Sequence, residues 1–379
     1  MVGRPERLPG LDGLRTLAIG VVVWHNYGAI PGLSSLPALN QLRAGYIGVT
    51  LFFVISGFLI TTVLLRGATG ASPMRLRTFY ARRAYRLLPA LGVTLVILWL
   101  IAWLKPSVAS HTVPASLAVL LYVHNLVWLR HPGPPYGGDG WGHLWSLSVE
   151  EQYYLVWPVV VRAARRMPAR RFVGVLVAAI LAVNIWRFVL WIRGASEQRL
   201  YLATDTRMDA LLIGAAVACA LPAASRLLPP PRARGPVLAL LVVGFVVVAN
   251  RGSRSAITAS PGWLFGPGSG VVALAAGYLV LVAVHTDRGW AAGLLNSRPA
   301  VAVGVRSYGI YLVHVPMQAV FAGHSAGQVK ALAATGVLAW TSYRFVEAPM
   351  LRRRPGERLG PSSAGSTSTA TTAERSTGP

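Results

Sequence analysis

The sequence predicts an all-α fold, a polytopic integral membrane bundle of about ten transmembrane helices with both termini in the cytoplasm. Three observations support this prediction. Of the 379 residues, 54% are hydrophobic and only 13% are charged, so apolar surface far exceeds charged surface. Long apolar segments recur along nearly the whole chain. The basic residues, which give a formal net charge of +24, cluster at the ends of these segments.

The apolar segments define the predicted spans, because a helix crosses a bilayer with about 20 mostly apolar residues. The ten segments are residues 14–30, 46–65, 89–104, 149–161, 172–192, 208–221, 236–249, 270–284, 301–322 and 329–346. An eleventh run, residues 113–129, is ambiguous because it carries His124 and Asn125 and is bounded by prolines.

The arginine-rich loops decide the orientation, since cytoplasmic loops carry an excess of Lys and Arg. With ten spans and a cytoplasmic N-terminus, the run RAARRMPARR at residues 162–171 lies inside. If residues 113–129 crossed the membrane, this run would lie outside. We therefore expect that segment to be re-entrant or tucked between helices, where polar backbone is satisfied.

Composition also limits the partners and cofactors. A positive charge of this size would suggest nucleic acid in a soluble protein, but its distribution here follows the membrane pattern, so we expect membrane lipid and no nucleic acid. The lone Cys219 excludes a disulfide framework and a Cys-x-x-Cys site, and we expect no metal. Residues 1–350 form the predicted transmembrane domain of a multi-pass plasma-membrane protein. Residues 351–379 form a basic, disordered cytoplasmic tail.

The first predicted span contains an arginine and a histidine, in RTLAIGVVVWHN. His25 follows Arg15 by ten residues, roughly 15 Å along a helix, which predicts a position near mid-bilayer. An imidazole there suits a general base because it titrates in the working pH range. The alternative is a packed histidine that hydrogen-bonds between helices.

Two further segments combine charge with a span end. In FYARRAYRLLP, Arg82, Arg83 and Arg86 stand at the predicted cytoplasmic mouth, where guanidinium groups bind phosphate or simply anchor the topology. In WSLSVEEQYYLVWP, Glu150 and Glu151 stand at the predicted outer start of a span. One of them is expected to orient a histidine or an acceptor hydroxyl, unless both are solvated acids at a helix N-terminus. Other candidates at or within later spans are Asp205, Arg207, Asp209, Ser307, Tyr308, His314 and Glu347.

Seven segments in a fixed order carry a family resemblance. They are LDGLRTLAIGVVVWH, GVTLFFVISGFLI, FYARRAYRLLPA, WSLSVEEQYYLVWP, RMDALLIG, SYGIYLVHVP and YRFVEAP. From about residue 8 to 350 the chain resembles the bacterial membrane-bound acyltransferase-3 family, the OafA/YrhL-like O-acyltransferases. The resemblance implies a ten-span enzyme that moves an acyl group, often acetyl, from acyl-CoA to a hydroxyl of a carbohydrate or other acceptor, with no permanently bound cofactor.

The resemblance also implies roles. His25 would be the catalytic base and Arg15 its partner, while Arg82, Arg83 and Arg86 would meet the CoA phosphates. Residues that match the remaining motifs are Ser146, Glu150, Ser307, Tyr308 and His314. One spacing departs from the family, in which ten residues usually separate the arginine and the histidine; here nine do. Two helix positions ten apart point about 80° away from each other, so we expect either a local bulge or a differently arranged pair.

Several alternatives stay open from the sequence. Transfer is expected to be direct, although His25 itself could carry the acyl group. The resemblance implies a cell-surface polysaccharide or envelope glycan as the acceptor, or alternatively a macrolide or other secondary metabolite. From other classes, a secondary transporter would also bury histidine, arginine and acids, and a structural subunit of polysaccharide assembly would not need His25.

Overall fold

The described part of the chain is built from helices. A computed structural model describes residue 8 and residues 10–27, 45–69, 76–132, 140–252 and 263–353. The α-helices are α1 (Leu11–Tyr27), α2 (Gly45–Thr69), α3 (Leu76–Leu104), α4 (Pro106–Leu120), α5 (His124–Arg130), α6 (Trp145–Ala163), α7 (Ala169–Ile192), α8 (Glu197–Leu202), α9 (Thr204–Ala224), α10 (Pro231–Gly252), α11 (Pro267–Val284), α12 (Gly289–Leu295), α13 (Arg298–Phe321), α14 (Gly327–Ser342) and α15 (Ala348–Arg352). Short 3-10 turns occur at Gly142–Leu144, Ala164–Arg166 and Ser225–Leu227, and a π-helical turn at Tyr343–Glu347 joins α14 to α15. The tail beyond residue 353 lies outside the described residues.

Within the described residues, each of the ten predicted spans overlaps a helix, which confirms the all-helical class. Among the described residues, five helices are long and apolar enough to cross a membrane: Gly45–Arg66, Leu76–Leu104, Ala169–Ile192, Pro231–Val248 and Pro267–Val284. The other five predicted spans lie on α1, α6, α9, α13 and α14, of which α1 and α14 have only 17 and 16 residues. The number of ten crossings and the side of the termini stay predictions.

Helices α2 and α9 pack closely at the centre of the bundle. A Cβ added at Gly57 would overlap the backbone of Leu211, and one added at Gly214 would overlap the backbone of Val54. Small residues at a crossing let two helix backbones approach, as is common in membrane bundles. Helix α1 packs between α2 and α13, and α14 covers the other side of α13. This arrangement brings α1, α2 and α13 around one site.

Residues 113–129 are not one continuous helix. Helix α4 ends at Leu120, Tyr122 has a left-handed φ of 56°, and α5 starts at His124. The Asn125 side chain is buried and its Nδ2 donates to Leu202 O at 3.1 Å and to Thr204 Oγ1 at 2.9 Å. The polar residues of this segment therefore bind α5 to the junction of α8 and α9.

A buried ion pair stabilises the contact between α7 and α9. The Arg187 side chain is fully buried, and its Nη1 lies 2.9 Å from Oδ2 of Asp209. The same guanidinium donates to the carbonyl oxygens of Thr206 and Gly266. The sequence pointed to Asp209 as a candidate site residue; in the structure it is the counterion of Arg187, a residue that the sequence reasoning had not selected.

Candidate active site

A pocket of about 140 Å³ opens between α1, α2, α3, α6 and α13. Its apolar wall comes from α2, including Val49, Phe52 and Leu59. Its polar lining brings together residues from five different helices: Arg15, Ser56, Arg83, Arg86, Ser146, Glu150, Tyr154, Ser307, Tyr308 and Tyr311. Seven of these residues were among the candidates that the sequence predicted.

Arg83 is held at the floor of the pocket by Glu151. Its Nε lies 3.0 Å from Oε2 of Glu151, and its Nη2 also contacts the carboxylate. The guanidinium carbon stacks 3.1 Å from the ring centroid of Tyr154. Two parallel bonds to one carboxylate fix the guanidinium plane, so Arg83 presents an oriented cation to the pocket.

The contact between Arg83 and Glu151 corrects the predicted position of the acids. We expected Arg83 and the two glutamates at opposite sides of the membrane, but they meet in one place. The reason is that α6 begins inside the bundle: Trp141, Leu144 and Trp145 are buried, so the start of this helix is not an outer surface. The adjacent acid, Glu150, accepts hydrogen bonds from Ser56 and from Tyr154 Oη at 2.7 Å.

The other two arginines of the pocket differ in exposure. Arg86 is exposed at the rim, three residues after Arg83 on the same face of α3, as the spacing predicted. Arg15 is half-buried and its Nη1 lies 3.6 Å from Oδ1 of Asp12. Arg82 lies outside the pocket lining, because it is rotated about 100° around the helix from Arg83. Two arginines of the predicted triplet therefore line this pocket, Arg15 completes the basic lining, and the role of Arg82 stays a prediction.

His25 lies away from this pocket, in the last turn of α1. The described part of α1 reaches Tyr27, and His25 is exposed two residues before that point; its mid-bilayer depth stays a prediction. A Cβ added at Gly45 would overlap the imidazole ring, so the ring packs on the start of α2. Because α1 is α-helical throughout, no bulge aligns Arg15 with His25. Arg15 points to the pocket and His25 to Gly45.

Two buried histidines and a tyrosine connect the pocket to the His25 end of the bundle. The rings of His143 and His314 lie 5.1 Å apart between centroids, and His25 is near enough to His314 for an electrostatic interaction. Tyr311, which lines the pocket, donates to His143 O at 2.8 Å and shares a 2.6 Å hydrogen bond with Ser146 Oγ. Val49 of the pocket wall lies one helical turn, about 6 Å, from Gly45.

Of the remaining candidate residues, some line the pocket and one lies outside it. Ser307 is buried in the lining, and Tyr308 Oη donates to Leu87 O at 3.4 Å. Glu347 lies behind α13, where it accepts a 3.1 Å hydrogen bond from Ser342 Oγ. Sequence reasoning missed His143 and Tyr311. His143 stands two residues before WSLSVEEQYYLVWP and Tyr311 stands inside SYGIYLVHVP, but neither position is adjacent to another ionisable residue.

Comparison with known families defines the class of protein. The family model of acyltransferase 3, described as an acyltransferase domain, matches residues 8–343. The chain therefore belongs to this acyltransferase family, which confirms the resemblance and favours an enzyme over a transporter or a structural subunit.

Individual relatives carry the name O-acetyltransferase or putative O-acetyltransferase. The chain is 30% identical over 373 residues to the O-acetyltransferase OatA of Staphylococcus aureus (strain NCTC 8325 / PS 47), which covers 92% of this chain and 58% of that protein. It is 29% identical over 368 residues to the putative O-acetyltransferase SACOL0978 of S. aureus (strain COL), covering 90% of this chain and 57% of that protein. The chain thus spans less than two thirds of the length of these relatives. No solved structure matches this chain significantly.

Proposed function

We propose that this protein is a plasma-membrane O-acyltransferase that moves an acyl group, foremost acetyl, from acyl-CoA to a hydroxyl of a carbohydrate or glycosylated acceptor. One observation carries the proposal. The pocket lined by Arg15, Arg83 and Arg86 also includes Tyr311. Tyr311 donates to His143 O, the His143 ring lies beside the His314 ring, and His314 interacts electrostatically with His25. A cationic cavity on one side and an imidazole on the other suit a long anionic donor with a reactive far end.

The donor would bind with its phosphates at the rim of the pocket. Arg86 is exposed there, and Arg83 lies below it with its plane fixed by Glu151. Guanidinium groups recognise phosphate oxygens through paired N–H donors. The apolar wall of α2 then offers a path for the uncharged pantetheine arm, which places the thioester toward Val49 and the His25 end.

The chemistry would be direct transfer with His25 as the general base. The acceptor hydroxyl loses its proton to His25 as its oxygen attacks the thioester carbonyl carbon. The new C–O bond forms, the C–S bond breaks, and the CoA thiolate takes up the proton. Direct transfer is favoured because Cys219, the one thiol of the chain, is not part of the described pocket lining.

The test compares cells that express the wild type or His25→Ala at matched membrane levels. Mass spectrometry of envelope glycans and secreted small molecules, before and after mild base, identifies esters that depend on the protein. We expect one O-acylated species to vanish with His25→Ala. The control is His324→Ala, because His324 is an exposed histidine in the turn between α13 and α14.

The same mass spectra identify the class of acceptor. An esterified envelope glycan supports the carbohydrate acceptor, and an esterified macrolide or other secreted metabolite identifies the alternative. Free CoA release from acetyl-CoA by membranes, also dependent on His25, checks the donor. Unchanged esters in a well-inserted His25→Ala protein would remove His25 as the base.

A further inference from the structure

Two hydroxyl groups from different helices meet in the lining of the pocket. Ser146 lies in the first turn of α6 and Tyr311 lies on α13, and both residues line the pocket. Their side-chain oxygens share a 2.6 Å hydrogen bond. Both also contact one backbone carbonyl, because Tyr311 Oη lies 2.8 Å and Ser146 Oγ lies 3.3 Å from His143 O. The three oxygens therefore form a hydrogen-bonded triangle.

The triangle contains two hydrogens for its three contacts. A carbonyl oxygen only accepts hydrogen bonds, and two hydroxyl oxygens approach to 2.6 Å when a hydrogen lies between them. One hydrogen therefore lies between the hydroxyls and the other points to His143 O. The shorter distance assigns that second hydrogen to Tyr311, so that Ser146 donates to Tyr311 Oη. Ser146 is nevertheless close enough to His143 O to donate there instead.

This exchange makes the phenolic hydrogen available to a ligand. When the hydrogen of Tyr311 turns into the pocket, the hydrogen of Ser146 can turn to His143 O, which keeps a hydroxyl donor throughout. The one bond that is lost joins the two hydroxyls, and the bond to the ligand replaces it. The phenolic O–H turns about its bond to the ring, so the ring itself need not move.

The ring of Tyr311 is held by aromatic neighbours on several sides. Its centroid lies 6.2 Å from that of Phe52, which belongs to the apolar wall of the pocket, and 5.5 Å from the centroids of both His143 and His314. Tyr311 is partly exposed, whereas Ser146 is buried. The phenol is therefore the hydroxyl of the pair that a ligand in the pocket meets, and its position is set before the ligand arrives.

We propose that Tyr311 is a catalytic residue of acyl transfer, whose hydroxyl donates to the carbonyl oxygen of the thioester while Ser146 takes over the bond to His143 O. The inference rests on the proposed function, which places acyl-CoA in this pocket. Ser146 is then a positioning residue, since it acts through Tyr311.

The reaction creates the charge that this donor stabilises. As the acceptor oxygen forms the new C–O bond, the electron pair of the carbonyl double bond moves to the carbonyl oxygen, which becomes an oxyanion. The carbonyl double bond then re-forms, the C–S bond breaks, and the thiolate takes up the proton that the base removed. An oxyanion accepts a stronger hydrogen bond than a carbonyl oxygen does, so a donor fixed at this place lowers the barrier.

Three variants separate the hydroxyl from the packing of the ring. Tyr311→Phe removes the hydroxyl and keeps the ring, and Ser146→Ala removes the exchange partner. The matched control is Tyr278→Phe, because the Tyr278 hydroxyl also donates to a backbone carbonyl, Leu227 O at 3.1 Å, but lies outside the pocket lining. All variants are compared as full-length protein in membranes at matched levels.

The first readout does not require catalysis. In a ketone analogue of acetyl-CoA a methylene group replaces the thioester sulfur, so the carbonyl stays in place but cannot be transferred. Infrared difference spectra of the ¹³C-labelled carbonyl report its hydrogen bonding, because a donor lowers the stretching frequency. We expect a higher frequency in Tyr311→Phe than in the wild type and Tyr278→Phe, with Ser146→Ala between them. Equal frequencies in all variants with the analogue bound would overturn the proposal.

The second readout is turnover of acetyl-CoA. We expect Tyr311→Phe to lower kcat about 100-fold, the scale of one lost oxyanion donor, with an unchanged KM for acetyl-CoA. Ser146→Ala should lower kcat about tenfold, because His143 O loses its hydroxyl donor when Tyr311 turns away. In the Tyr311→Phe background, Ser146→Ala should have no further effect on kcat, since coupled residues are not additive.

The outcomes separate this inference from the proposed function. A larger loss in Ser146→Ala than in Tyr311→Phe, or fully additive losses, would overturn the assigned roles. Transfer that depends on His25 but is intact in Tyr311→Phe would overturn this inference alone. A wild type that lowers the carbonyl frequency of the bound analogue but transfers no acyl group would contradict the proposed function alone.

Discussion

Arg83 and Arg86 share one face of α3 but differ in environment. The side chain of Arg83 is 14% exposed and is paired with Glu151, which is 8% exposed, whereas Arg86 is exposed at the rim. A buried ion pair contributes little over an apolar pair, but removing one partner leaves an uncompensated charge. We therefore expect the replacement of Arg83 and the replacement of Arg86 to have different consequences.

Loss of Arg83 should destabilise the protein. We expect Arg83→Gln to lower the free energy of unfolding by about 3 kcal/mol, because Glu151 is left buried without its cation. The measurement is denaturant unfolding of the detergent-solubilised protein. The double variant Arg83→Gln/Glu151→Gln should recover most of the loss; a double variant as unstable as the single one would contradict this account.

Loss of Arg86 should affect the ligand and not the fold. We expect Arg86→Gln to raise the Kd for acetyl-CoA about tenfold, equivalent to about 1.4 kcal/mol, without a change in unfolding. Titration calorimetry measures the affinity, and Arg82→Gln is the matched control because Arg82 lies outside the pocket. Equal weakening by both substitutions would indicate a general charge effect.

The meeting of α1 with the start of α2 positions the His25 ring. The ring fills the space that a side chain at Gly45 would occupy, so the smallest residue is required there by a close approach and not by backbone strain. In contrast, Gly20 of the same α1 has no atom within 4 Å of an added Cβ. The two glycines thus provide a test of ring placement.

We expect Gly45→Ala to lower acyl transfer at least tenfold by displacing the His25 ring, since small misplacements of a reacting group are costly. Gly20→Ala should leave transfer within about twofold, because a helical Gly→Ala change at an open position acts mainly on helix propensity. CoA release by membranes measures both. Full activity of Gly45→Ala would show that the ring has another productive position.

Individual elements also show what sequence could predict. Apolar length located α2, α3, α7, α10 and α11 because each contains a run of at least 18 residues of high hydropathy. The pocket residues followed from motifs on separate helices, since charge next to an apolar run is visible locally. The partner of Glu151 and the role of Tyr311 were not predictable, because both depend on where α6 starts in three dimensions and on contacts between residues more than 60 positions apart.

At the scale of the whole molecule, the arginine distribution predicts which side of the membrane each end of a helix faces. Helix α7 is 24 residues long, enough to cross a bilayer. Met167 lies just before α7, within the run at residues 162–171 that contains five arginines. The exposed Glu197 lies just after α7. By the positive-inside rule, we predict that Met167 lies on the cytoplasmic side.

Cysteine labelling checks this orientation. In a Cys219→Ala background, a membrane-impermeant maleimide should label Glu197→Cys in intact cells, and should label Met167→Cys only after permeabilisation. Acyl transfer by each variant confirms correct folding. Labelling of both cysteines in intact cells would mean that α7 does not cross, and the reversed pattern would invert the predicted topology.

The unbroken course of α1 has a consequence for the choice of donor. One end of this helix carries Arg15 of the basic pocket and the other carries His25, and an α-helix does not stretch, so it acts as a rigid spacer of roughly 15 Å. Under the proposed function, a donor must be long enough to hold both ends at once. Small activated acyl compounds such as acetyl phosphate would reach one end only. The length of the group that carries the acyl chain would therefore determine which donors the enzyme can use.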